Sequence, residues 1–468
     1  MKKFYTVKKG NTPGIYSSLE KARESIKGFS SPEWRGFETE EEAKAFYEGK
    51  DLFKEKIDKD IAAGYLVIFT DGSFEPNPPK YSYGIVILEK DHETLISQSP
   101  QKQRFLVSKN ISGEIFGVIV ALDWAIAHEY FKIKVYHDYV GISKMYNGEW
   151  KAEAAITQFF STLVKEKYDG IVDVVFEKVK GHTHNTYNDK ADALAREALQ
   201  GKPTRAVNGG TFFCLNHISK DSTNAILQKI QDTEKNVLIS SEEHDKKTVY
   251  IALFEKDKIT ITHFASPANK LLVQGKICPL FQVITAFLLE LIDASTVITI
   301  SSSIYHRTFN QEEIDKEFAK YCSNFPIRYS ENLKKLLLQS IINLKTPKAE
   351  YEADCSYYVY PAFRALEGHI DYQLVALGIP KTGYSFSMFD LDTATRSYYL
   401  RTTYATGLAS DSIDKLNKCY NYYNDKRHAL SHFGNIIGAT DNTLMVEKKE
   451  DANVLIEETL SLINDTVI

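Results

Sequence analysis

The sequence predicts a multidomain chain, α/β through its first half, α+β in the middle and all-α at its end. Three observations carry that prediction. The chain has 468 residues, which at roughly 150 residues per domain is room for about three domains. Strand and helix patterns alternate from Gly64 to about Leu199, the habit of a mixed sheet covered by helices. From residue 331 onward long helical patterns take over, with candidates at Leu333–Leu344, Tyr357–Leu377, Ile413–His432 and Asn453–Asn464.

Shifts of composition set the boundaries. Residues 1–50 form a small lysine- and turn-rich α+β module that closes on the acidic run Glu40–Glu42. Residues 51–63 alternate Lys, Glu and Asp with few core residues, which predicts a linker helix. Residues 64–200 are the mixed-sheet domain, and the turn-forming stretch Gly201–Gly210 closes it. In the α+β middle region, 205–330, Val249–Phe254 and Ile259–Phe264 are expected to pair, with Leu271–Gly275 as a third strand and Pro279–Leu291 as an apolar helix. Residues 331–468 are the helical region.

Composition excludes several classes. Apolar residues are 43% and charged residues 25% of the chain, a globular rather than disordered or fibrous balance. The net charge of −5 excludes a protein that coats nucleic acid by bulk positive charge, but not a local or metal-assisted phosphate site. The N-terminus has no apolar core of a secretory signal. The apolar stretches Ile115–Ala127 and Leu280–Ile292 carry Asp123, and Gln282 with Glu290, so both are expected to be buried helices and no membrane is expected. Five scattered cysteines (Cys214, Cys278, Cys322, Cys355, Cys419) with no C-x-x-C pair predict free thiols in a reducing, cytoplasmic setting.

The informative residues lie between 65 and 195. An apolar strand, Tyr65–Thr70, ends in Thr70-Asp71-Gly72-Ser73. Strands at Tyr83–Glu89 and Arg104–Val107 are expected next, and Asn110-Ile111-Ser112-Gly113-Glu114 then opens an apolar helix. Lys132–His137 is a strand ending at Asp138. Val172–Val179 runs into Gly181-His182-Thr183-His184, and a last helix carries Asp189 and Asp192. Acids at two strand ends and two helix starts can converge at one sheet edge, where they repel unless divalent cations lie between them. Mg²⁺ prefers such hard oxygen ligands. Two ions about 4 Å apart can activate water and stabilise the leaving oxygen of a phosphodiester. Singly, each acid has an ordinary explanation as a turn or helix-start residue; their joint order is what carries the reading.

In that order, the Thr-Asp-Gly-Ser strand end, the Gly-Glu helix, the His-Asp strand end, the Lys-Gly-His loop and the Asn-x-x-x-Asp-x-Leu-Ala helix make residues 64–200 resemble a type 1 ribonuclease H. The resemblance implies that Asp71, Glu114, Asp138 and Asp192 hold two Mg²⁺ (or Mn²⁺) ions. It implies that His182 is a mobile catalytic histidine and that Asn110 reads the RNA strand. Asp189 is not the motif acid. The first module resembles the hybrid-binding domain that precedes many such enzymes. Tyr5, Trp34 and Arg35 fall where that family contacts nucleic acid, while Leu19 and Gly36 depart from its pattern.

Two further constellations lie in the helical region. Arg364-Ala365-Leu366-Glu367 sets an i,i+3 pair on one helix face. Arg427-His428-Ala429-Leu430-Ser431-His432 is followed by Gly434. On the run Tyr360–His369 and the Arg-x₄-His spacing, 331–468 resembles the HEPN class of helical ribonucleases. With the middle region, 205–468 resembles the RNase LS (RnlA-type) toxins. That resemblance implies metal-free RNA cleavage through Arg364, Glu367, Arg427 and His432. His432 would move the proton and Arg427 steady the phosphate, with Glu367 either orienting Arg427 or sharing the proton transfer. His369 and His428 lie adjacent and are left unassigned. It implies too a homodimer, a small antitoxin partner (RnlB-type) and a place in phage defence. The expected function is therefore a toxin with two nuclease modules, acting on RNA–DNA hybrids and on mRNA. The alternative is a housekeeping ribonuclease H with a non-catalytic C-terminal binding or dimerisation module.

Overall fold

The structure is a computed structural model that describes residues 3–100, 102–179, 186–204, 211–234, 236–265, 269–305, 309–326, 329–347, 355–381, 386–430 and 446–468, with backbone alone at 303 and 427–430. The chain divides into two compact units, 1–126 with 130–208 and 127–129 with 209–468.

The first unit begins with a three-stranded antiparallel sheet, order β2-β1-β3, of β1 (Phe4–Lys9), β2 (Gly14–Tyr16) and β3 (Glu33–Phe37). Helices α1 (Leu19–Ile26) and α2 (Glu40–Glu48) accompany it. The acidic run predicted to close the module starts α2: Thr39 accepts from the Glu42 amide and Glu42 reaches back to the Thr39 amide, a reciprocal cap. Helix α3 (Leu52–Ala62) starts on Asp51, whose carboxylate accepts from the Phe53 and Lys54 amides.

This helix is more than the linker the sequence predicts. Ile57 is only 1% exposed and packs with Val67, Phe69 and Tyr136, a burial that stabilises by about 2 kcal/mol. Asp60 accepts from Lys134 at 2.6 Å and from the Tyr136 hydroxyl at 2.9 Å, and Lys56 pairs with Glu177. Its charged face thus hid an apolar seam that is spent on the neighbouring sheet.

That sheet has the order β6-β5-β4-β7-β8, from β4 (Leu66–Pro76), β5 (Pro79–Leu88), β6 (Glu93–Gln98), β7 (Lys132–His137) and β8 (Asp173–Lys178). β4, β5 and β6 pair antiparallel, and β7 joins β4 in parallel, followed by β8. The mixed sheet is as expected. The strand expected at 104–107 is instead a 3₁₀ turn, Gln103–Ser108, in which Phe105 is buried against Phe116 and Phe159. The Ser112 hydroxyl holds its carbonyl at 2.6 Å, and the edge position belongs to β6.

Helix α4 (Asn110–Ala127) is long and apolar enough to cross a membrane, and most of that window is buried here. Helices α5 (Gly141–Tyr146), α6 (Ala155–Leu163) and α7 (Thr186–Leu199) complete the unit.

Two close approaches position this layer. A Cβ on Gly113 of α4 would lie 2.1 Å from the Ser82 carbonyl and 2.9 Å from the Gly72 Cα, and one on Gly72 would lie 2.4 Å from the Glu114 amide. A Cβ on Gly84 of β5 would lie 2.0 Å from the Ala191 carbonyl of α7.

In the second unit a five-stranded antiparallel sheet has the order β10-β11-β12-β13-β9. Its strands are β9 (Thr211–Leu215), β10 (Leu238–His244), β11 (Lys247–Phe254), β12 (Asp257–Phe264) and β13 (Lys270–Gly275), and α8 (Lys220–Thr233) lies between β9 and β10 in sequence. The predicted pairing of the 249–254 and 259–264 strands is present. Helix α9 (Pro279–Leu288) packs Phe281 and Phe287 into the sheet core. There follow α10 (Ala294–Ile304), α11 (Gln311–Tyr321), α12 (Glu331–Lys345) and α13 (Tyr360–Ala376).

The boundary expected at 330/331 is not a gap in the packing, because Tyr305 and Leu336 lie against both the sheet core and the helical core. The region expected to be helical also holds a hairpin, β14 (Phe389–Asp392) and β15 (Ser397–Leu400). Asp392 accepts from the Ala394 amide to make its turn. Asn417 and Asn421, on the later helix Ser410–Leu430, accept from the Leu400 and Tyr398 amides, so a helix satisfies the open edge. α14 (Thr402–Ala405), α15 (Ser410–Leu430) and α16 (Lys449–Asp465) end the unit.

The packing predicts that Gly113→Ala and Gly84→Ala each destabilise the first unit by about 3 kcal/mol, since a backbone atom, not a flexible side chain, must move. Thermal denaturation reads this; an unchanged midpoint would show that the layers are not held at backbone distance.

Candidate active site

β4 and β7 are parallel neighbours with Phe69 level with Tyr136. Two residues on, Asp71 and Asp138 therefore stand side by side. The Gly113–Gly72 approach brings Glu114 from α4 to the same point. One carboxylate oxygen from each of Asp71, Glu114 and Asp138 lies within 4.8 Å of the others. Gly84 pairs across β5 with Asp71 and carries Ala191 of α7 on its face, so Asp192 follows beside the cluster.

Asp192 does not join the trio. Its Oδ1 accepts from Arg196 at 2.9 Å, one turn further along α7. Asp189 is exposed.

The cluster is electrostatically loaded. Burial, with the Asp138 charge next and Asp192 after it, pushes the Asp71 carboxyl up to about 7, although the Gly72 amide donates to it at 2.7 Å. Burial and then the Asp71 charge hold Glu114 well above the usual carboxylate range. Glu114 Oε2 is buried without a hydrogen-bond partner. Hard oxygen donors converging around an orphaned buried oxygen fit a divalent cation.

Asn110 is exposed at the first residue of α4, and its carbonyl is 2.6 Å from where a Gly72 Cβ would be. His182 lies outside the described residues. The roles of Gly72, Gly84 and Gly113 were missed by sequence reasoning; the signal was a glycine inside a strand or directly before a motif acid.

In the first module, Tyr5 is level with Gly36 across β1 and β3, so Tyr5 and Trp34 share a sheet face. Arg35 alternates to the other face, its guanidinium 5.8 Å from the Phe37 ring centroid. The three residues expected to act together are thus divided between two faces.

In the second unit, Arg364 donates to Glu367 at 2.8 Å, both side chains being largely buried, and its guanidinium lies 4.4 Å from the Phe287 ring centroid. Arg427 lies in α15, where only the backbone is described, and His432 lies outside the described residues. His369 is fully buried. Its Nδ1 pairs with the Tyr329 hydroxyl at 2.6 Å and its Nε2 with Thr466 at 2.9 Å, and burial lowers it to about 3. It is a neutral packing histidine. None of the five cysteines is in a disulfide, and burial pushes the Cys278, Cys322 and Cys419 thiols up to about 12.

Three acidic side chains, from β4, the end of β7 and the first turns of α4, make a carboxylate cluster of the kind that can hold a divalent cation. The comparisons sharpen that reading. The family model described as "RNase H" matches residues 63–200, and "Ribonuclease H1 N-terminal domain" matches 3–47. "RNase LS, bacterial toxin" matches 210–293, and "RNase LS, bacterial toxin DBD domain" matches 310–434. Ribonuclease H of Clostridium botulinum is 32% identical over 148 residues, covering 29% of this chain and 95% of that protein. The mRNA endoribonuclease LsoA of Escherichia coli O157:H7 is 24% identical over 159 residues, covering 34% of this chain and 45% of LsoA. A solved structure of Escherichia coli toxin LsoA in complex with the T4 phage antitoxin Dmd is 20% identical, covering 55% of this chain and 98% of that one at a TM-score of 0.35. The chain belongs to the ribonuclease H family and carries RNase LS toxin domains behind it: it is a ribonuclease.

Two outcomes follow. Asp71→Asn removes one charge from the crowded trio, so it should raise the thermal midpoint of the metal-free protein at pH 7.5. It should also reduce the stabilisation given by millimolar Mg²⁺. A lowered midpoint without metal would contradict the crowding.

For His369 the folded value lies below the unfolded one, so the unfolded chain takes up the proton first as pH falls below about 6.5. Stability is full above that pH and should drop by about 2–3 kcal/mol between pH 6.5 and 4.5. Denaturant titrations should show this slope flattened in His369→Gln.

Proposed function

We propose that this protein is a ribonuclease toxin of a bacterial toxin–antitoxin pair with two chemistries in one chain. The first unit cuts the RNA strand of RNA–DNA hybrids. The observation that carries this is the convergence of Asp71, Glu114 and Asp138 on one point. These residues, with Asp192 beside them, would hold two Mg²⁺ or Mn²⁺ ions. Bound there, the ions supply an activated water and stabilise the leaving oxygen. The chain's own part is placement: Asn110, exposed beside the cluster, meets the RNA strand, and His182 carries a proton near product release. Tyr5 and Trp34, on one face of the first module, stack on the nucleic-acid backbone, with Arg35 adding charge from the other face.

The second unit cuts mRNA without metal. A ribose 2′-hydroxyl attacks the adjacent phosphate, leaving a cyclic phosphate and a 5′-hydroxyl. His432 moves the proton, Arg427 steadies the transition-state charge, and the Arg364–Glu367 pair completes the site. The matches to RNase LS toxin models over 210–293 and 310–434 support this half. A homodimer through the helical region, a small antitoxin of RnlB type that restrains it, and a place in phage defence belong to the same reading. The reading takes the protein to be cytoplasmic, where its RNA substrates are. Joining the two nucleases covalently keeps each at high effective concentration for the other.

A second reading has a specific observation in its favour. The Arg364–Glu367 pair is closed, mostly buried and seated on Phe287, as a structural ion pair would be. In that case the second unit binds or dimerises without cutting, and the first is a housekeeping enzyme.

One experiment separates them. Purified protein is given single-stranded RNA and an RNA–DNA hybrid, each with and without EDTA. Hybrid cleavage should be EDTA-sensitive and fall at least ~10³-fold in Asp71→Asn, while RNA cleavage persists in EDTA and falls as far in His432→Ala. If His432→Ala leaves metal-free RNA cleavage and cell toxicity untouched, or the ends carry 3′-hydroxyls, the toxin reading fails.

A further inference from the structure

The 3₁₀ turn before α4 carries two cations that the catalytic cluster does not use. Lys102 Nζ lies 5.3 Å from the Phe116 ring centroid and 5.9 Å from that of Phe159. The Arg104 guanidinium lies 4.4 Å from the Phe105 centroid and 5.4 Å from the same Phe159. Two like charges therefore converge on one ring. Neither forms an ion pair with a carboxylate among the described residues, whereas Lys167 is spent on Asp123 at 2.9 Å. Burial, and Arg104 after it, lowers the Lys102 ammonium.

Side-by-side cations without an acid repel, and an anion relieves them. The three rings, locked against one another at 5.4–6.2 Å between centroids, fix where the cations sit before any ligand arrives. An arginine fork and a lysine point charge together suit a phosphodiester.

The place is also telling. Phe116 is two residues beyond Glu114 on α4, and the turn runs directly into Asn110. The pair thus sits on the turn that leads into α4, against the side of that helix turned away from Glu114.

We propose that Lys102 and Arg104, seated on Phe105, Phe116 and Phe159, clamp a backbone phosphate of the RNA–DNA hybrid away from the bond that is cut. This rests on the hybrid-cleaving reading of the first unit.

The test uses the full chain. Hybrid cleavage, and equilibrium hybrid binding in EDTA, are measured from about 50 to about 300 mM KCl. Lys102→Met with Arg104→Gln removes both charges while the methionine keeps the apolar stem on the rings. The double variant should raise KM and the dissociation constant about ten-fold, leave kcat within about two-fold, and make the slope of log affinity against log salt shallower by about 1–2. The charge-keeping swap, Lys102→Arg with Arg104→Lys, should recover most of the binding and the full salt slope. A parent that cleaves hybrid beside a double variant with unchanged KM and unchanged slope overturns the clamp and leaves the hybrid reading standing. A swap as weak as the neutral variant overturns it too, since packing rather than charge would then be at work. A parent that fails to cleave hybrid sinks the underlying reading instead.

Discussion

The catalytic cluster depends on backbones that touch without side chains between them. Gly113 of α4 lies against Gly72 and the Ser82 carbonyl, and Gly84 lies against the Ala191 carbonyl of α7. Any side chain at these points would lift a helix off the sheet and take Glu114 or Asp192 with it. The glycines are costly within regular elements, where they lose the most conformational freedom. Placing a third carboxylate beside two already on adjacent strands costs more still, as the raised Asp71 and Glu114 groups show. The apolar remainder of α4 offsets this. Ile115, Val118, Leu122 and Ile126 are fully buried, so the helix is anchored well enough to hold an unfavourable charge at its start.

The second unit uses α13 in a related way. Its Arg364 and Glu367 meet each other, with Arg364 on Phe287 of α9, while His369, two residues past Glu367, is tied to Tyr329 and to Thr466 near the chain end. Gln373 donates to the Thr466 carbonyl at 2.5 Å. The rotation of α13 about its axis is therefore fixed by a neutral imidazole and a threonine. Whatever Arg364 and Glu367 do, they do it from a helix that the C-terminal residues lock.

Much of this was legible in the sequence because Asp71 and Asp138 close apolar runs and Glu114 opens one, even though β4 runs on past Asp71 to Pro76. Asp71, Glu114 and Asp138 were readable for that reason, and so were β7 and the strands of the second sheet. What was not legible depends on partners distant in the chain. The 3₁₀ turn at 103–108 looked like a strand because Phe105 and Val107 alternate with polar residues; it turns because Phe105 finds Phe116 and Phe159. The hairpin at 389–400 was hidden because its edge is satisfied by Asn417 and Asn421 of a helix. Asp192 carries the motif, yet its tie to Arg196 is a local i,i+4 choice that spacing alone does not decide. The division of Arg35 from Tyr5 and Trp34 follows from strand alternation, which the resemblance to a family had overridden.

A net charge of −5 raises the question of how such a chain meets a polyanion. A cation paired with a carboxylate offers little charge to a phosphate, because the partner cancels it and must be displaced. A cation seated on an aromatic face keeps its charge, since the ring holds it by its quadrupole without neutralising it. The chain has 28 tyrosines and 26 phenylalanines, and phenylalanines serve this way under Lys102 and Arg104, as a tryptophan does under Lys144. Lys56, Lys134, Lys167 and Lys381 have both a ring and an acid, and so does Arg364. Its charge is already cancelled, so it suits orienting a site better than attracting a substrate to one. The sign of the whole chain thus says little about nucleic-acid contact; whether a ring-seated cation also meets an acid says more.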